Sequence, residues 1–301
     1  MYSIISTKLY NPFARRLARY MKMLCVPVEC KKLSDGEVYV RVKGVITNPV
    51  VLVGTTAPPS DNIVELLLLI NAIRESNRDT PIIVVFPYLG YARADRSIVS
   101  GEAVSARAVA ELFNKNTVQH VIGIDIHSIA AEAFFKVPLT PVYAYPYLAK
   151  QVKKYINPNK TVIVSPDRGA SLLAQRMGKL LNCKTAWFEK KRPSHNQVSM
   201  ARFHGMIRGS DVVVVDDMID TAGTMVAAIA CLKKYGAHRI LVAATHGVLS
   251  GDAIHRLQKA HIDQLILSDS IPRVSTLAIE NLSLVSMVPA VADILTQSKE
   301  L

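Results

Sequence analysis

The chain has 301 residues, half of them hydrophobic and a fifth charged, which is the composition of a globular protein rather than a disordered one. This length allows two domains of ordinary size, each with a sizeable core. Lys and Arg outnumber Asp and Glu by 36 to 24, which favours anionic partners such as phosphorylated metabolites, while an aromatic share of 6% offers no evident stacking platform for nucleic acid.

Membrane and disulfide signals are weak. The most apolar run, residues 63–73, is too short to cross a bilayer and contains Glu65, and the N-terminus lacks the basic-then-apolar pattern of a signal peptide. The cysteines form no CxxC pair, which favours reduced thiols in a cytosolic enzyme. We therefore expect a cytoplasmic protein that binds neither membrane nor nucleic acid.

Short runs rich in Val and Ile recur along the chain, often followed by stretches of helical length. Apolar runs without alternation are typical of strands buried on both faces of a parallel sheet. Strands are expected at 49–56, 81–89, 118–128, 161–169, 211–218, 239–247 and 263–270, and helices at 62–76, 103–115 and 225–236. This order predicts an α/β fold.

Residues 143–160, which contain Pro146 and Pro158, are interpreted as a linker. They divide the chain into predicted domains at 1–142 and 143–301. Nearly every predicted strand ends in polar residues. Because ligands of open parallel sheets bind at the carboxyl ends of the strands, these polar ends are the candidate binding positions.

The most informative strand end is VVVVDDMIDTAGTM, residues 212–225. Its turn would form a phosphate cradle, because the amides at the start of the following helix point outward and Gly223 lets the backbone approach a ligand. The predicted cradle comprises Asp220, Thr221, Ala222, Gly223 and Thr224. Asp216 and Asp217 would accept hydrogen bonds from sugar hydroxyls, which together describes a ribose 5-phosphate site. The alternative is that the acids only cap the helix.

This stretch resembles the phosphoribosyl-diphosphate-binding fingerprint of type I phosphoribosyltransferases and of ribose-phosphate diphosphokinases. Further segments resemble diphosphokinase motifs in the same order: 33–42, 87–96, 124–128, 164–169, 188–192 and 245–251. The resemblance thus covers nearly the whole chain and favours the diphosphokinases. It implies two phosphoribosyltransferase-like, Rossmann-like domains in a dimer-based homohexamer, and transfer of diphosphate from ATP to the C1 hydroxyl of ribose 5-phosphate.

The resemblance also implies roles for the other motif residues. The ATP-binding residues would be Asp35, Glu37, Arg93, Asp95, Arg96 and His127, with Asp35 and Glu37 reaching the ATP site of a neighbouring subunit. Guanidinium groups suit triphosphate oxygens. Mg²⁺ would lie near His127 and Asp167, with phosphate oxygens supplying most of its ligands.

The same comparison makes Lys190 and Arg192 the catalytic residues that close over the reacting phosphates. The alignment of FEKKR, residues 188–192, selects Lys190 rather than the adjacent Lys191. In isolation this stretch would be interpreted as a charged loop.

Several positions depart from the family pattern, among them Leu33 in place of an aromatic residue, Ala94 in place of glutamine and Ala170 in place of glycine. Two other functions share the cradle. A phosphoribosyltransferase would need a nucleobase pocket and no ATP, and a non-catalytic paralogue would regulate an active enzyme by co-assembly. A nucleic-acid-binding module is disfavoured because the basic residues fall in metabolite-site motifs.

Overall fold

The computed structural model describes residues 2–47, 49–114, 118–194, 197–277, 279 and 281–297, with only the backbone described for 190–194 and 197–201. The chain divides into two compact units. The first unit contains the described residues of Met1–Tyr143 and Val288–Leu301, and the second contains those of Ala144–Met287.

Strands and helices alternate through the first unit. In chain order they are β1 (Ser3–Ser6), α1 (Asn11–Met21), β2 (Leu24–Cys25), β3 (Val28–Lys32), β4 (Val38–Val42), β5 (Val50–Thr55), α2 (Asp61–Ser76), β6 (Ile82–Tyr88), α3 (Ser105–Glu111), β7 (His120–Ile124), α4 (Ile129–Ala133) and β8 (Leu139–Val142).

Six strands of the described first unit form a parallel sheet in the order β2-β1-β5-β6-β7-β8. Every residue of β5 is buried, as a strand covered on both faces requires. Leu66 and Leu69 of α2 pack into the core beside β5. Strands β3 and β4 form a separate antiparallel hairpin, and α2 also packs against β4.

The second unit continues the alternation. Its elements are α5 (Tyr145–Val152), β9 (Thr161–Ser165), α6 (Ser171–Leu181), β10 (Lys184–Ser194), β11 (Gln197–His204), β12 (Asp211–Ile219), α7 (Gly223–Lys234), β13 (Ile240–Gly247), α8 (Ala253–Lys259), β14 (Gln264–Ser268) and β15 (Leu282–Val285), and the chain continues into α9 (Val288–Gln297). The sheet order is β11-β10-β9-β12-β13-β14-β15, parallel except where β10 meets β11.

The predicted α/β fold with mainly parallel sheets is confirmed, and each predicted strand run overlaps an observed strand. The linker prediction for 143–160 is wrong, because these residues contain α5, which packs against α6. Pro146 lies in the first turn of α5, where its missing N–H removes no helical hydrogen bond.

The C-terminal helix differs from the predicted domain limits. The contact-based division falls between Tyr143 and Ala144, one residue from the predicted limit, but α9 belongs to the first unit. There α9 packs against α1, and the Tyr2 hydroxyl donates to the Leu295 carbonyl at 3.3 Å. We therefore propose domain limits that return α9 to the N-terminal domain.

Two other observations concern membranes and cysteines. No helix in the described part of the chain has both the length and the apolar character needed to cross a membrane. Cys25, Cys30, Cys183 and Cys231 are free thiols, each half-buried rather than fully buried.

Candidate active site

The predicted sugar-phosphate residues lie at the carboxyl edge of the second sheet. Strands β9, β12 and β13 are parallel neighbours, with Val164 beside Val214 and Ala244 beside Asp216. Because parallel strands end at a common edge, the segments that follow these three strands meet there. The fold thus brings together Asp167, the pair Asp216 and Asp217, and the cradle at 220–224.

Asp216 is the electrostatic centre of this edge. Its Oδ1 atom accepts a hydrogen bond from the Asp217 amide at 2.9 Å. Burial, together with the negative charges of Asp217 and Asp167, raises the pKa of the Asp216 carboxyl well above its usual range. Bound hydroxyl donors or a cation would stabilise the ionised carboxyl, so the site favours ligands of these kinds.

Asp167 shapes the loop between β9 and α6. Its Oδ1 atom accepts a hydrogen bond from the Gly169 amide at 2.9 Å. The Ser165 hydroxyl donates to the Asp167 carbonyl. These contacts hold the Asp167 carboxyl in the loop, close enough to Asp216 to raise its pKa.

The cradle is a tight turn between β12 and α7. Ala222 has the left-handed conformation, with φ 61°, and Gly223 is the first residue of α7. The conformation does not require glycine at 223. Instead Gly223 leaves open space, since a Cβ added there would meet nothing nearer than Thr221 Oγ1 at 3.7 Å.

The N-cap residue of α7 is Ala222, whose methyl side chain makes no capping hydrogen bond. The alternative that the acids cap the helix stays a prediction. The first amides of a helix favour an anion, so the start of α7 is a suitable position for a phosphate.

Sequence reasoning missed the support behind the cradle. The Leu249 and Ser250 amides donate to the Ile219 and Asp220 carbonyls at 2.9 and 3.0 Å. Arg256 Nη1 donates to the Thr221 carbonyl at 3.1 Å. The motif at 245–251 pointed to this segment but gave it no role, and nothing in the sequence pattern singled out Arg256.

A second group of predicted residues lies at the carboxyl edge of the first sheet. Arg93, Asp95 and Arg96 follow β6, and His127 follows its parallel neighbour β7. Arg93, Arg96 and His127 are exposed, as groups that meet a large polar ligand should be. The Arg96 Nε atom lies 3.9 Å from Asp95 Oδ1. The Thr56 hydroxyl donates to the Gly90 carbonyl at 3.0 Å, which ties the start of this loop to the end of β5.

Asp35 and Glu37 lie apart from that edge, at the exposed tip of the β3–β4 hairpin. The Asp35 Oδ1 atom accepts a hydrogen bond from the Glu37 amide at 3.0 Å. Gly36 between them has φ 94°, a conformation that glycine adopts without strain. The turn therefore presents both carboxylates outward.

Two predicted features lie beyond what the structure tests. The side chains of Lys190 and Arg192 are outside the described residues, although their backbone forms part of β10 rather than the charged loop considered above. His127 belongs to the first unit and Asp167 to the second, so their shared metal stays a prediction. Within the described residues, no group of three or more His, Cys, Asp or Glu side chains is arranged to hold a metal.

The sequence matches two family models. Residues 2–116 match the N-terminal domain of ribose phosphate pyrophosphokinase, and residues 146–265 match the phosphoribosyl transferase domain. A ribose-phosphate pyrophosphokinase from Thermotoga maritima is 35% identical over 259 residues, which cover 85% of this chain and 82% of that protein. One from Gloeobacter violaceus is 39% identical over 251 residues, covering 82% and 75%. The chain belongs to the ribose-phosphate pyrophosphokinase family.

Ribose-phosphate diphosphokinase and ribose-phosphate pyrophosphokinase are two names for the same family. The fold of a solved structure matches both units of this chain. A crystal structure of phosphoribosylpyrophosphate synthetase from Mycobacterium smegmatis matches with a TM-score of 0.90 at 24% identity, over 99% of both chains. At that identity the likeness shows the fold alone, which is one of two phosphoribosyltransferase-type domains. The residues that match the phosphoribosyl transferase domain include the cradle at 220–224 and the carboxylates Asp167, Asp216 and Asp217.

Proposed function

We propose that this chain transfers diphosphate from ATP to the C1 hydroxyl of ribose 5-phosphate, giving 5-phosphoribosyl 1-diphosphate and AMP. The C1 oxygen attacks the β-phosphorus of ATP, the bond from that phosphorus to the α,β-bridging oxygen breaks, and the hydroxyl proton is released. Such transfers depend mainly on positioning and charge neutralisation. Membership of the ribose-phosphate pyrophosphokinase family supports this reaction.

The observation that carries the proposal is the edge formed by Asp216, Asp217 and residues 220–224. The start of α7 would bind the 5-phosphate, and the two carboxylates would accept hydrogen bonds from the ribose hydroxyls. The raised pKa of Asp216 supports this assignment, because hydroxyl donors would stabilise the ionised carboxyl.

ATP would be held by the first unit and by a neighbouring subunit. Arg93 and Arg96 would bind triphosphate oxygens, Asp95 would orient Arg96, and His127 would contact a phosphate. The outward-facing tip carrying Asp35 and Glu37 would reach the adenine of ATP bound to another copy. A homo-oligomer, in the family's form a dimer-based hexamer, is therefore part of the proposal, as is a cytoplasmic location.

Mg²⁺ is the cofactor that this reaction implies, and the residues fit it. Magnesium prefers oxygen ligands and is commonly held by one or two carboxylates together with substrate phosphates and water. Asp167 offers such an oxygen and His127 would lie at the phosphate side. Bound magnesium would supply neutralising charge and lower the pKa of the attacking hydroxyl.

The direct test is product analysis. Incubating the protein with ribose 5-phosphate and Mg-ATP should yield AMP and a sugar whose mass has grown by one diphosphate group. A phosphoribosyltransferase would release no AMP under these conditions, and a non-catalytic paralogue would leave both substrates unchanged. Either result would reject the proposal.

Lys190 and Lys191 form a matched pair for testing the catalytic role. Removing one preorganised donor from a transition-state site costs about 3 kcal/mol, or on the order of a hundredfold in turnover. Lys190→Ala should therefore lower kcat by about this factor while substrate binding stays close to that of the wild type. Lys191→Ala should retain most of the activity. The reverse ranking would transfer the role to Lys191, and equal turnover in Lys190→Ala would remove it.

A further inference from the structure

We infer that Arg256 positions the phosphate cradle, acting together with the main chain of Leu249 and Ser250. This inference rests on the proposed function of the cradle and adds to it a residue that contacts the protein backbone rather than the reacting atoms. The evidence is the direction in which three successive peptide groups are held.

The carbonyls of Ile219, Asp220 and Thr221 all accept hydrogen bonds from one segment. Their donors are Leu249 N at 2.9 Å, Ser250 N at 3.0 Å and Arg256 Nη1 at 3.1 Å. All three donors lie in residues 249–256, on the side of the turn formed by the loop after β13 and by α8.

These bonds fix the amides as well as the carbonyls. The peptide groups are trans, so each N–H points away from the C=O of the same planar unit. When residues 249–256 hold the carbonyls of 219–221, the amides of residues 220–222 turn to the opposite side. Within the described part of the chain, the Thr221 and Ala222 amides have no hydrogen-bond acceptor, which leaves them available to an anion.

Arg256 donates to the carbonyl of the peptide group that joins Thr221 to Ala222. Ala222 has a left-handed conformation, which an L-alanine rarely adopts. A charged guanidinium makes a stronger hydrogen bond than a neutral donor and would hold this peptide in place. The supporting loop is itself held, because Leu249 is left-handed and fully buried and its carbonyl accepts from Arg273 Nη2 at 2.6 Å.

The test compares Arg256→Met with Lys259→Met. Both residues are exposed cations on α8, so both variants lose one positive charge from the same helix, but only Arg256 bonds to the cradle. Loss of a hydrogen bond from a charged group corresponds to roughly a tenfold change or more in affinity. Arg256→Met should weaken ribose 5-phosphate binding, measured by calorimetry and as KM, by about this factor. The KM for ATP should stay unchanged.

Arg256→Lys provides the rescue. Its ammonium group can still donate to the Thr221 carbonyl, so this variant should recover most of the affinity for ribose 5-phosphate. The inference is overturned if Arg256→Met binds ribose 5-phosphate as Lys259→Met does, or if its KM for ATP rises equally. A wild-type protein that binds no ribose 5-phosphate would instead reject the proposed function.

Discussion

The surroundings of Asp216 disfavour the ionised form of its carboxyl group. Asp216 lies directly after four buried valines, with Asp217 next to it and Asp167 across the edge. Three carboxylates at one edge of the sheet cannot all ionise without cost, and burial adds to that cost. In the ligand-free protein this arrangement lowers the free energy of unfolding, and bound substrate would offset the loss.

We expect Asp216→Asn to stabilise the protein at neutral pH. A carboxyl whose folded pKa lies above its unfolded value of about 3.9 lowers stability progressively as pH rises through the folded pKa. Asparagine cannot ionise, yet its Oδ1 atom can still accept from the Asp217 amide. The Tm should rise at pH 7.5, by roughly 2–4 °C per kcal/mol relieved. Activity should fall, because a carboxylate acceptor for ribose is lost.

The pH dependence is the decisive readout. The difference in Tm between Asp216→Asn and the wild type should shrink as pH falls towards about 3, below the unfolded pKa of about 3.9, because the wild-type carboxyl is then protonated in both the folded and the unfolded state. Asp79→Asn, at an exposed turn position, serves as the control and should give no such trend. A Tm difference that stays constant between pH 4.5 and pH 7.5 would contradict the electrostatic explanation.

At the level of elements, the sequence predicts the parallel strands well because their signal is local. The runs that became β5, β6 and β13 are buried along almost their whole length, and the four valines of β12 are buried as well. The polar residues at the carboxyl ends of the parallel strands include both groups of candidate site residues, one at each sheet. The hairpin of β10 and β11 was not predicted, because its charged sequence is also typical of a loop.

Supports formed by distant residues could not be predicted from local pattern. Arg256 lies 35 residues from Thr221, and only the fold brings α8 behind the turn. The backbone strain of the turn was not predicted either. Ala222 has the positive φ, and the surrounding packing holds it there.

Gly223 nevertheless has a testable role at the junction of the turn and α7. A Cβ at this position meets no close protein atom, and alanine favours the helix, so Gly223→Ala should fold normally and lose no stability. If helix amides contact the 5-phosphate here, the added methyl group should obstruct the ligand and weaken ribose 5-phosphate binding tenfold or more. Calorimetry on the folded variant measures this. Wild-type affinity would show that the phosphate does not approach Gly223.

At the level of the whole molecule, the chain leaves the first unit at residue 143 and returns to it with α9. The apolar residues of this helix are buried in the first unit, including Val291 and Leu295. Sequence reasoning assigned 143–301 to one domain because α9 has no pattern that names its partner. Only the packing against α1 gives its position.

Leu295→Ala tests which unit α9 stabilises. Removing a fully buried leucine side chain typically lowers the free energy of unfolding by about 2–5 kcal/mol. Hydrogen exchange measured by mass spectrometry should become faster in peptides from α1 and β8, and stay unchanged in β12 and β13. Leu257→Ala on α8 is the matched control and should show the opposite distribution. Loss of protection in β12 and β13 on Leu295→Ala would instead support a domain at 143–301.

The return of α9 has a consequence for biosynthesis. A ribosome makes α9 after all of β1 to β8, so these strands and α1 leave the exit tunnel long before the helix that packs against α1. The residues of the second unit, by contrast, are all made before α9. Although domains generally fold in the order in which they are synthesised, here the second unit can reach its native packing before α9 is made, and the first unit completes its own packing only after α9 has emerged.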